Sequence, residues 1–219
     1  MRRKIPDWVT PLAWVSLFSM AFGCVEAAVV VYLRDLYYPQ GFTLPLRPSM
    51  LAHLRVELVR EAATLVMLMS VGLLAGRTRW QRISFFMIGF GAWDIFFYMW
   101  LKVFLGWPSS VFDWDVLFLL PLPWIGPVIA PLLISLLLMT TGVLLLRKEA
   151  HSGFIRIPPV AWVLGIAATS LILYSFMRDT DATLHAAAPQ PYWYELLAAG
   201  LGLYIPGIFF ALRGTASTT

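Results

Sequence analysis

Residues 83–105 read ISFFMIGFGAWDIFFYMWLKVFL, twenty-three residues with one acid, Asp94, and one base, Lys102. A bilayer's hydrocarbon core of about 30 Å needs roughly 20 apolar residues per helix, so this stretch is long enough to cross a membrane. Five more apolar stretches accompany it, at about 11–33, 56–75, 117–146, 158–176 and 193–212. The whole chain is 60% hydrophobic and 13% charged, whereas soluble domains carry about 25% charged residues. Water cannot cover so much apolar surface. The expected fold is therefore all-α, a polytopic bundle of about six transmembrane helices forming a single domain over residues 1–219.

The fourth stretch is too long for one simple span. Its first part carries Pro121, Pro123 and Pro127, and proline lacks the amide that a helix interior uses. An irregular or re-entrant segment is expected there, followed by a helix from about Gly126, with Pro131 a candidate kink. The first stretch could be taken for a signal peptide, because Arg2, Arg3 and Lys4 precede it. It runs on past Cys24 to Leu33, however, which is the length of a span rather than of a cleaved leader.

Basic residues set orientation, since they are enriched in cytoplasmic loops. One side of the alternating chain collects ten bases (Arg2, Arg3, Lys4, Arg77, Arg79, Arg82, Arg147, Lys148, Arg156, Arg213) against two acids, Asp7 and Glu149. The other has six bases (Arg34, Arg47, Arg55, Arg60, Lys102, Arg178) and ten acids. The first side is read as cytoplasmic, so both termini lie inside. Aromatic residues agree: Trp8, Trp14, Trp80 and Trp162 fall at the inner interface, and Tyr32, Tyr37, Tyr38, Trp100, Trp107, Trp114, Trp124, Tyr192, Trp193 and Tyr194 at the outer. The expected location is a bacterial cytoplasmic (inner) membrane, with the protein in multi-pass form.

The bases sit at span ends rather than along one stripe, so the net charge of +4 does not point to nucleic acid. The one cysteine, Cys24, excludes an internal disulfide and a cysteine zinc site. The three histidines, His53, His151 and His185, lie in loops, which disfavours a membrane haem. No phosphate-cradling loop, serine-hydrolase elbow or H-E-x-x-H helix occurs. No cofactor is expected, although a hard cation would suit a carboxylate site.

Charges within hydrocarbon are costly and usually face a cavity, a partner or the protein interior. Four acids fall in spans: Glu26 in the first, Glu57 and Glu61 at the start of the second, and Asp94 in the third. Glu57 and Glu61 are four apart and share a face with Arg60 beside them. Gly91, Asp94, Tyr98 and Lys102 follow helical spacing as a polar stripe. Asp94 and Lys102 are eight residues, about 12 Å, apart along the axis, so Tyr98 is expected as their intermediary. The candidate pocket is thus Glu26, Glu57, Arg60, Glu61, Asp94, Tyr98 and Lys102, with Glu26, Glu61 and Asp94 as candidate metal ligands. The loop 106–115 could dip inward as a lid, carrying Asp113 or Asp115 with it.

Plainer readings stand beside these. Glu57 and Glu61 suit a helix N-terminus electrostatically, Lys102 can snorkel to the interface, and buried ion pairs often only fix helix register. His53 reads as an exposed loop residue.

Three functions follow. One is binding or transport of a small cation, proton or polar solute at an outward-facing carboxylate pocket formed by the first three helices. The second is a structural or assembly subunit docked to another membrane subunit. The third is a membrane-embedded enzyme acting on a lipid or isoprenoid. The bilayer itself is the partner common to all three.

Overall fold

A computed structural model of the protein describes residues 6–42, 53–153, 155–180 and 190–213. Arg2, Arg3, Lys4, Arg47, Asp181 and His185 lie outside the described residues. Among the described residues, six helices are each long and apolar enough to span a membrane. They are α1 (Val9–Tyr37), α2 (Leu54–Ala75), α3 (Arg79–Leu105), α4 (Ile129–Ser152), α5 (Pro159–Met177) and α6 (Tyr194–Arg213). The protein is a multi-pass, all-α membrane protein.

Local chemistry sets several helix ends. The Thr78 side chain accepts from the Gln81 amide and caps α3. Gly106 and Gly153, at φ 67° and 74°, end α3 and α4 in the left-handed conformation that glycine adopts without strain.

The helix ends that the charge count groups together do meet. Lys148 donates to the Ala211 carbonyl, joining the ends of α4 and α6, and the Trp80 indole donates to Ile155 before α5. Thr78 donates to Glu149 across the α3 start and the α4 end.

Helix α3 is the hub, packed against by α1, α2 and α4, while α5 and α6 pair with each other. Lipid supplies no hydrophobic drive between helices, so close approach relies on small residues. Gly72 of the G-x-x-x-G pair serves α3 of the same chain: a Cβ there would stand 2.9 Å from the Phe86 amide nitrogen. Gly91, expected within a polar stripe, instead seats α4, since its Cβ would meet the Ser135 carbonyl oxygen at 2.5 Å.

The proline-rich segment takes a form that the proline count does not reveal. Strands β1 (Trp114–Phe118) and β2 (Trp124–Pro127) pair antiparallel, with a register irregularity between Val116 and Phe118. The pairing continues through Val128 N–H to Asp113 O and Ile129 N–H to Val111 O. Gly126 therefore lies in a strand, and α4 begins three residues later than expected, at Ile129. Pro131 falls in the first turn, where amides have no helical partner, so no kink is needed. The hairpin is re-entrant: Phe118 packs with Phe22, Leu68 and Trp93 inside the bundle.

Gly91→Ala should lower thermal stability in detergent by about 1–3 kcal/mol, because backbone must shift to admit the methyl. Gly165→Ala, where a Cβ meets nothing within 4 Å, should leave it unchanged. Equal effects would refute the close α3–α4 contact.

Candidate functional site

Between α1, α2, α3 and β1, at the end of the bundle assigned outside, lies a cavity of ≈ 70 Å³. Five charged side chains line it: Arg34 from α1, Glu57, Arg60 and Glu61 from α2, and Asp115 from β1. Glu57 and Glu61 are 7% exposed and Asp115 5%, so these acids are withdrawn from bulk solvent. Val30, Leu33, Phe97, Val116 and Leu119 supply apolar wall.

Arg60 is the centre of one cluster. Its Nη1 donates to Glu26 of α1 and its Nε to Glu57 at 2.8 Å. Thr64, one turn on from Arg60, donates its hydroxyl to the second Glu26 oxygen at 2.9 Å. One cation and one hydroxyl on α2 thus hold the acid of α1, and both carboxylates accept from a planar guanidinium, the stronger kind of hydrogen bond.

Arg34 organises the second cluster. It donates to Asp115 at 3.1 Å, and its guanidinium carbon lies 3.7 Å from the Trp107 ring centroid and 4.5 Å from that of Phe42. Tyr98 donates to the other Asp115 oxygen at 3.2 Å. Arg34 entered the sequence reading only as a flanking charge. Nothing local points to its role, because its partner is 81 residues away.

Glu61 has no Lys, Arg or His within ion-pair distance among the described residues. It accepts the Leu119 amide at 2.8 Å and so satisfies backbone that the hairpin ladder leaves unpaired just past β1.

Other expected members fall elsewhere. Asp94 accepts from Ser135 of α4 at 2.8 Å and does not line the cavity. Tyr98 does not link Asp94 to Lys102, because its hydroxyl turns to Asp115. Lys102 donates to the Gly106 and Pro108 carbonyls at 2.9 and 2.8 Å, capping the end of α3. The proposed trio of metal ligands is not assembled: Glu26 faces α2, Glu61 faces the hairpin and Asp94 faces α4. Among the described residues no three His, Cys, Asp or Glu side chains are grouped to hold a metal. His53 is exposed, as expected, and bonds the Tyr37 hydroxyl at 2.7 Å.

The two loop acids divide. Asp115 reaches inward. Asp113 instead accepts from the Ser109 hydroxyl and amide, both at 2.7 Å, and from the Ser110 amide at 3.2 Å. These bonds, the Ser109 hydroxyl's first, hold its carboxyl below the usual range.

Arg60→Gln should destabilise the protein by about 3–5 kcal/mol, as expected when a buried pair loses one partner, and Lys102→Met at the exposed rim by far less. Chemical unfolding in detergent measures both. For Asp113 the folded pKa is depressed, so its contribution is full above the free value of about 3.9 and disappears as pH falls through the lower folded value. Protection of the Ser109 and Ser110 amides, read as exchange relative to the intrinsic rate at each pH, should fall over that acid range, and Asp113→Asn should abolish that change.

Compared with known proteins, the chain matches no protein-family model, no curated protein and no solved structure.

Proposed function

We propose that this membrane protein binds a small polar solute in the outer cavity, and that it does so in a bacterial cytoplasmic membrane. The observation that carries the reading is one cavity bringing together five charged side chains from three separate elements, with apolar wall between them. Charge buried at a membrane's depth is costly and tends to mark a site. Small-molecule sites typically combine apolar walls with a few convergent polar groups.

Inward of the cavity two apolar clusters succeed one another, with Asp94 and Ser135 paired beside them between α3 and α4. The layer of Phe22, Leu68, Trp93 and Phe118 comes first, followed by Val15, Phe85, Ile88 and Leu146. That arrangement supports a site reached from outside and closed from within.

A second reading, a structural or assembly subunit, draws on a different observation. Glu26, Glu61 and Asp94 each engage a different element rather than converging, as register-fixing contacts would.

Thiol accessibility decides between them. In a Cys24→Ser background, Leu33→Cys and Val116→Cys line the cavity, whereas Leu74→Cys occupies a position 87% exposed on the outside of α2, where lipid would cover it. A membrane-impermeant thiosulfonate added outside should modify the first two and spare the third. If a loop control at Val111 reacts while both cavity cysteines stay inert, the solute reading is wrong and the assembly reading stands.

A further inference from the structure

We infer that the solute taken by this cavity is a small organic ammonium ion, its charged head at Glu61 and its short alkyl body against the apolar wall. The inference rests on the cavity being a solute site and adds the chemical class of what enters.

The first argument is charge. Four carboxylates belong to the cavity and its immediate support (Glu26, Glu57, Glu61 and Asp115) against two guanidinium groups, Arg34 and Arg60. Taken as ionised, they leave two negative charges in excess. Neither cation is left over for an anionic ligand. Arg60 spends Nε and Nη1 on Glu57 and Glu26, and Arg34 is held by Asp115 and flanked by the rings of Trp107 and Phe42. Lys102, the remaining cation of the stripe, is tied to loop carbonyls. An acetate-like ligand would meet uncompensated carboxylates, whereas a cation would neutralise them.

The second argument is shape. A space of ≈ 70 Å³ admits a small molecule rather than a lone water, for which about 10–15 Å³ suffices. A bare divalent ion needs some six oxygen ligands, and no three-residue ligand group is present among the described residues. An ammonium head needs at most three acceptors, which Glu61 and the lone pairs of Glu57 not used by Arg60 offer. Leu33, Phe97 and Val116 then cover one to three carbons.

The test uses full-length Cys24→Ser, Leu33→Cys protein in vesicles and two thiosulfonates of similar size, one ending in ethylammonium and one in ethylsulfonate. Relative to a free thiol, the cationic reagent should react at least tenfold faster than the anionic one, within the range that charged clefts impose. Millimolar ethylammonium chloride should slow the reaction several-fold, whereas sodium chloride or sodium acetate at equal ionic strength should not. Glu61→Gln should abolish both the preference and the protection, and Glu61→Asp should restore them. Equal rates for the two reagents, or protection by acetate or by magnesium alone, would overturn the ammonium assignment while leaving the cavity a solute site. No reaction with either reagent would refute the solute site itself. Rates and protection are read with every acid intact, so the result stands even if Glu61→Gln fails to accumulate.

Discussion

A guanidinium within a membrane span must be neutralised where it stands, and Arg60 is neutralised from two directions, by Glu26 of α1 and by Glu57 on its own helix. The placement of α2 follows from this. Its buried residues are Glu57, Glu61, Thr64, Leu68 and Gly72, a narrow seam at spacings of four, three, four and four, while Val59, Val66 and Leu74 face outward. Between lipid-soluble helices apolar contact alone is weakly selective. The outer half of the seam is polar and specific, and the inner half ends on a glycine that lets α3 come close. Loss of the Arg60 bridge would leave the Thr64 and Glu61 bonds and the Gly72 contact to fix its rotation.

The hairpin is the second consequence of the same rule. Extended backbone at membrane depth must find partners for its amides and carbonyls. The β1–β2 ladder satisfies one edge. Glu61 takes the Leu119 amide and Thr180 donates to the Pro123 carbonyl, from opposite halves of the bundle. Rings finish the clamp: Trp124 stacks on Phe176, and Phe176 on Tyr192. Aromatic residues that the sequence reading places at an interface therefore also bind the hairpin to α5 and α6.

Span number and which helix ends lie together were legible because they rest on length and composition. Glu57, Arg60 and Glu61 share a helix face by spacing alone, and they do line one cavity. Pairings across the fold were not legible. Asp94, Tyr98 and Lys102 follow one stripe, yet their side chains reach three different elements, because a stripe gives direction from an axis and not the identity of what lies opposite. The strands were hidden for a related reason: short apolar runs do not distinguish strand from buried helix by periodicity. Arg34 looked like a topology signal because a base at a helix end has that meaning in most chains.

Glu61 and Asp115 each have two attachments, one to the cavity they line and one to the hairpin. Asp115 belongs to β1 and is held by Arg34 and Tyr98, while Glu61 belongs to α2 and holds Leu119. Phe118 lies between these points and forms part of the apolar layer below the cavity. Wall, plug and latch are thus one element. On the proposed reading, a cation at Glu61 would share the carboxylate with the Leu119 amide. Cavity and hairpin thus meet at one carboxylate, and on the proposed reading a solute held at Glu61 would change the free energy of seating the hairpin by as much as that seating changes the solute's affinity.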